Sequence, residues 1–101
     1  MYGEQSIQHV VDYLRQILPD GVVVIAPKDV GYMLQDRWRY IELTTDPRPH
    51  LNNPGVYALV LRTNDYYGNM IRANPDVAAS VEARFGSTVT VGNFAVLTRG
   101  G

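Results

Sequence analysis

The stretch Val22-Val23-Val24-Ile25-Ala26-Pro27-Lys28-Asp29-Val30-Gly31-Tyr32-Met33-Leu34 decides the fold. Its first five residues form an unbroken apolar, mostly β-branched run without alternation, the pattern of a strand covered on both faces and therefore parallel and interior. Pro27 closes the strand, and Asp29 is well placed as a helix N-cap. Val30, Met33 and Leu34 then recur at helical spacing, which predicts a short helix ending near Asp36. A doubly covered strand that runs straight into a helix belongs to an α/β protein with helices on both faces of its sheet.

Upstream, Ile7, Val10, Val11, Leu14 and Leu18 make one apolar stripe, so Glu4 to Leu18 reads as an amphipathic helix stopped by Pro19-Asp20-Gly21. Downstream, Trp38 to Thr44 alternates, with Trp38, Tyr40 and Glu42 on one side and Arg39, Ile41 and Leu43 on the other. That is a strand exposed on one face. Arg37, Trp38 and Arg39 suit a sheet edge, where charge blocks unwanted pairing. Thr45 to Gly55 holds Pro47, Pro49 and Pro54 with His50 and Asn52-Asn53, and is expected to lack regular structure.

Val56 to Leu61 is a second buried-type strand, and Tyr66 to Ala73 reads as a helix with Tyr67, Met70 and Ile71 inward. Asn74 as N-cap with Pro75 at the first helical position opens another helix, striped by Val77, Ala78, Val81 and Phe85, with Gly86 as its C′ residue. Thr88 to Val91 and Phe94 to Thr98, joined by Gly92-Asn93, make a hairpin. In that register Val91 faces Phe94 and Val89 faces Val96, and all four are expected on the core side. The order α-β-α-β-β-α-α-β-β implies a three-layer α/β open sheet, mainly parallel, with a C-terminal antiparallel hairpin.

Composition bounds the rest. The 101 residues, 46% hydrophobic and 19% charged with a formal net charge of −1, make one soluble domain, residues 1–101, of a size that supports a core without staples. The absence of cysteine excludes disulfides, thiolate zinc sites and cysteine nucleophiles. Near-neutral charge argues against nucleic acid as a partner. The apolar runs fall far short of the ~20 residues that cross a bilayer. Glu4, Gln5, Gln8, His9 and Asp12 interrupt any signal-peptide h-region. His9 and His50 stand apart from any carboxylate cluster, so no metal is expected, and no glycine-rich fingerprint calls for a nucleotide cofactor. Ser6, Ser80 and Ser87 lie outside any nucleophile elbow.

Ligands of open α/β sheets bind outside the carboxyl ends of the strands, where strand order reverses. If the first strand is central, Pro27-Lys28-Asp29 and Thr63-Asn64-Asp65-Tyr66-Tyr67 leave neighbouring strand ends on opposite sides of the sheet and border one crevice. Its candidate ligand-binding residues are Lys28, the only lysine, with Asp29, Tyr32, Asn64, Asp65, Tyr66 and Tyr67. Tyrosine rings offer apolar faces, carboxylates accept hydroxyl hydrogens and a lysine holds phosphate, which suits a sugar or a phosphate-bearing ligand. The same residues have a purely architectural reading: Asp29 and either Asn64 or Asp65 as N-caps, Lys28 as a solvated rim charge, and the tyrosines as half-buried packing.

The helix before Leu18-Pro19-Asp20-Gly21, the strand Val22 to Ala26, Pro27-Lys28-Asp29-Val30-Gly31-Tyr32, Leu61-Arg62-Thr63-Asn64-Asp65-Tyr66-Tyr67-Gly68 and Gly92-Asn93-Phe94-Ala95-Val96-Leu97 cover most of the chain. Together they resemble the C-terminal soluble extracytoplasmic domain of polytopic membrane glycosyltransferases of the dolichyl-phosphate-mannose-protein mannosyltransferase-like and aminoarabinose-transferase-like kind. The resemblance implies a domain excised from a larger membrane protein that transfers a sugar from a polyprenyl-phosphate donor. It would sit on the extracytoplasmic side, with the membrane-spanning portion of the parent chain as partner and a sugar or polyprenyl-phosphate as ligand. The parent would be the enzyme and this domain non-catalytic, assisting acceptor or donor positioning, because the catalytic carboxylate of such enzymes resembles part of the spanning portion. No catalytic residue carries over. The alternative is a stand-alone α/β module that binds a small molecule or a protein.

Overall fold

A computed structural model describes residues 2–44, 46–62, 71 and 73–99, with the backbone alone for 2–6. The elements in chain order are α1 (Tyr2–Ile17), β1 (Val23–Ala26), α2 (Lys28–Tyr32), β2 (Arg39–Glu42), α3 (Arg48–Leu51), β3 (Val56–Arg62), α4 (Pro75–Arg84), β4 (Ser87–Val91) and β5 (Phe94–Thr98). The expected helix over Tyr66 to Ala73 falls largely outside the described residues, although Ile71 is buried.

The five strands form one sheet in the order β2-β1-β3-β5-β4. β1 pairs in parallel with both β2 and β3. β5 runs antiparallel to β3 and to β4, so four strands point one way and β5 alone opposes them. The doubly covered run is therefore interior, with β1 (Val23–Ala26) flanked by β2 and β3, as its composition requires. Two cores lie on the two sides of the sheet. One gathers Val10, Val11 and Leu14 of α1 with Val24, Ala26, Val30, Leu34, Ala58, Val60, Phe94 and Val96. The other gathers Ile25, Leu43, Leu51, Leu59, Leu61, Ile71, Val77, Val81, Phe85 and Leu97. Val24 and Ile25, adjacent in β1, point to opposite cores, as strand geometry dictates.

Five local expectations need correction. β2 is shorter than Trp38 to Thr44, and Trp38 lies ahead of it, 3% exposed. Its Nε1 donates to the Pro19 carbonyl at 2.8 Å while Arg15 and Arg37 cover its ring at 5.7 and 5.0 Å, so a buried indole locks the α1–β1 turn to the end of α2. The proline-rich loop contains α3. Pro47 occupies its N-cap position, a proline sits in its first turn, and the Asp46 carboxylate accepts from the Arg48 amide at 3.1 Å. Prolines that break a helix interior are well suited to a helix start.

Gly86 is not a left-handed C′ residue: α4 closes on an extended Phe85, and the chain passes directly into β4. Glycine there answers instead to a close approach, since a Cβ would lie 3.3 Å from the Arg99 carbonyl oxygen. Val89 pairs with Val96 as expected yet is 39% exposed, because β4 is the outermost strand. The fifth correction concerns Asp29 and belongs to the site below. Asn74, in contrast, is the N-cap of α4, accepting from the Asp76 and Val77 amides at 3.1 and 3.4 Å. Gly92, at φ 59° with no positive φ at Asn93, makes the turn a type II′.

The loop before β3 is held by two arginines from the C-terminal half. Arg84 donates to the carbonyls of Leu51, Asn53 and Val56 at 2.8, 3.2 and 2.5 Å, and Arg99 donates to that of Pro54. Burial, with Arg99 nearby, lowers the pKa of Arg84.

Candidate functional site

At the carboxyl ends of β1, β2 and β3 lies an open crevice of about 770 Å³, bordered by Pro27, Lys28, Asp29, Tyr32, Glu42, Leu43 and Arg62. Its position follows from the topology. From β1 the chain crosses by α2, on the α1 side of the sheet, to β2 at the edge; from β3 it passes to Ile71 and α4 on the opposite side. The gap between β1 and β3 is thus the point where strand order reverses and the departing chains diverge.

The buried run Val24 to Ala26 carries the chain to Pro27, which is itself buried and begins α2. The Gly31 amide donates to the Pro27 carbonyl at 2.9 Å, closing the first turn. Lys28 and Tyr32 are four residues apart and so lie on one face of that turn. Val30 and Leu34 face the core, which leaves Lys28 outward and Tyr32 64% exposed over the crevice. From the other strands come Glu42, the last residue of β2, and Arg62, the last of β3. Leu43 and Pro27 supply an apolar floor, both buried.

Asp29 is where the architectural expectation fails. The N-cap of α2 is Pro27, with no side-chain cap bond. Asp29 sits within the first turn. One of its carboxylate oxygens accepts from the Val30 amide at 2.9 Å, and the other accepts from the Arg62 guanidinium in a close ion pair. Arg62 in turn stacks 5.0 Å over the Phe94 ring. The pair joins α2 to the end of β3 across the mouth of the sheet and fixes Asp29 from two sides. Among the described residues no hydrogen bond or ion pair engages the side chain of Lys28 or Glu42, so one ammonium and one carboxylate remain available to a ligand.

Of the candidates read from the sequence, the structure brings Lys28, Asp29 and Tyr32 together on one crevice. Asn64, Asp65, Tyr66 and Tyr67 lie outside the described residues. The exposure of Tyr32 removes its reading as packing, while Lys28 does stand at the rim. Glu42 and Arg62 were not legible as site residues. Their signal was position: each is the charged residue that ends its strand on the side where the central strand also ends. Arg62 follows a run of apolar residues with no reason of packing to be charged.

Among the described residues no serine, threonine or histidine borders the crevice, and no three potential ligands cluster to hold a metal. The chemistry of the crevice is that of a site for a hydroxyl-rich or charged ligand: an aromatic face, two carboxylates and two cations over an apolar floor. No helix among the described residues is long and apolar enough to cross a membrane. No family model, no curated protein and no solved structure matches the chain.

Proposed function

We propose that the chain is a non-catalytic extracytoplasmic domain of a membrane glycosyltransferase that uses a polyprenyl-phosphate sugar donor, and that its crevice positions a sugar-bearing ligand, acceptor or donor, beside the membrane-spanning portion. The observation that carries the binding part is the crevice itself. At the switch point of the sheet it presents an exposed tyrosine together with a lysine and a glutamate that no side-chain bond engages among the described residues, above a fixed Asp29–Arg62 pair. The glycosyltransferase context rests on the resemblance of the Pro27 to Tyr32 and Leu61 to Gly68 segments.

An aromatic ring stacks on the apolar face of a pyranose, Glu42 accepts from hydroxyls, and Lys28 meets a phosphate or a carboxylate as a point charge. The test is an NMR titration of the chain with a short-chain polyprenyl-phosphate sugar and, separately, with neutral oligosaccharides. Saturable shifts are expected at the amides of Lys28, Asp29, Tyr32, Glu42 and Arg62, reduced in Lys28→Ala. Shifts confined to other surfaces would sink the binding assignment. The membrane context has its own check: the native reading frame should carry several upstream apolar spans of ~20 residues.

A further inference from the structure

The two edges of the sheet are guarded differently. β2 is four residues long and carries Arg39 and Glu42, the charged side chains with which edge strands resist pairing. β4 reads Ser87-Thr88-Val89-Thr90-Val91: five residues, no charge, no proline, and an unbroken register to β5 with no bulge to twist it away. An uncharged, regular, β-branched edge is a template for another strand.

Which backbone groups it offers follows from the hairpin. In a two-residue loop the flanking pair, here Val91 and Phe94, is the hydrogen-bonded kind, and the kinds alternate along the strand. Ser87, Val89 and Val91 therefore turn their N–H and C=O groups toward β5, while those of Thr88 and Thr90 point outward. Among the described residues nothing bonds to them. The side chain of Val89 lies on the same face as the buried Phe94 and Val96 but remains 39% exposed, an apolar residue at the open margin of a core.

We propose that β4 pairs antiparallel with β4 of a second copy, about a two-fold axis through Val89. In that register Thr88 of each copy faces Thr90 of the other as hydrogen-bonded pairs, which fills all four outward-pointing groups on each strand. Val89 falls opposite Val89 as a non-hydrogen-bonded pair, with Cα atoms about 4.5 Å apart. The strand is compatible with itself: it carries no charge, so the two-fold sets no like charges face to face, and it brings the two part-exposed Val89 side chains together in one isologous contact. The axis stands perpendicular to the sheet, so both α1 helices stay on one side and two five-stranded sheets become one of ten. The crevice lies at the opposite end of the strand order, so the pairing leaves it open.

The chain contains no cysteine, which makes the test clean. A Cα separation of about 4.5 Å lies within disulfide reach. Val89→Cys should cross-link into a covalent dimer under mild oxidation, whereas Asn52→Cys, exposed at the end of α3, should remain largely monomeric under the same conditions. Sedimentation of the unmodified chain should show a monomer–dimer equilibrium whose dimer fraction rises with concentration. Thr90→Pro, which deletes one outward N–H without removing a bond to β5, and Val89→Lys should each weaken that equilibrium at least tenfold while far-ultraviolet circular dichroism confirms the fold. A chain that stays monomeric up to millimolar concentration would overturn the proposal. So would a dimer insensitive to both substitutions, or equal cross-linking at positions 52 and 89. Capture of an unrelated extended peptide on β4 with no self-association would assign the edge to a different partner and equally overturn it.

Discussion

Gly31 shows how one residue can set the distance between two elements. It is buried in α2, where the ring of Tyr40, from β2, lies directly over its Cα, and a Cβ would overlap that ring. The helix lies this close to the sheet edge because glycine is there. Gly31→Ala should therefore destabilise the chain by about 1–3 kcal/mol through overpacking, although alanine favours a helix, with the shift read as a urea midpoint. Adding Tyr40→Ala should relieve part of the loss, giving a coupling of about 1 kcal/mol or more in a double-mutant cycle. The Asp29–Arg62 pair makes the opposite case. Its side chains are 42% and 31% exposed, which leaves solvent to screen them. Asp29→Asn should change stability by less than ~1 kcal/mol and show its effect in ligand titrations instead. A loss of several kcal/mol on unfolding would make the pair structural and remove Asp29 from the site.

Among the elements, the segment between β2 and β3 was the least legible in the sequence. Three prolines predicted irregularity, and two of them start α3 instead, because the rule against proline in helices applies to interiors and not to first turns. The arginines that hold this segment act through its carbonyls, a form of recognition that leaves no side-chain pattern to read. Arg84→Met would leave the carbonyls of Leu51 and Val56, which its partly buried bonds now satisfy, without their donor. It should lower stability by about 2–3 kcal/mol in urea unfolding, with Arg84→Lys recovering part of the loss. At the head of α3, the Arg48 guanidinium bonds the Asp46 carboxylate and holds it below the usual carboxylate range. A carboxylate whose folded pKa is depressed contributes its stabilisation above its unfolded pKa and loses it as pH falls through the lower folded value. The amides of Arg48, His50 and Leu51 should therefore shift together in acid below the ordinary aspartate range, and Asp46→Asn should abolish that transition. Persistence of the transition in Asp46→Asn would assign it to another group.

For the molecule as a whole, topology was legible because it rests on coarse physics. Two doubly apolar strands must be interior, an alternating strand beside Arg37 and Arg39 must be an edge, and a Gly-Asn turn must reverse the chain; the sheet order β2-β1-β3-β5-β4 satisfies all three. Half the mouth of the crevice was legible for the same reason, since Lys28, Asp29 and Tyr32 follow directly from the end of a central strand. Glu42 and Arg62 were not, because joining them to α2 needs the parallel registers of β2 and β3 against β1, which no local pattern encodes. The same architecture divides the apolar residues into two cores that share the sheet but no helix. Leu14 belongs to one and Val81 to the other, both 3% exposed or less. Leu14→Ala should lower stability by about 2–5 kcal/mol and Val81→Ala by about 2 kcal/mol, the transfer and cavity terms of each falling on a separate side of the sheet. Because they share no partner, the double substitution should equal the sum within about 0.5 kcal/mol, measured by urea unfolding followed simultaneously by Trp38 fluorescence and circular dichroism. Both probes should report one transition, since Trp38 packs into the α1-side core while the circular dichroism signal reports every element at once. Separate transitions would show that the sheet does not couple its two faces, and that the crevice at their junction can open without global unfolding.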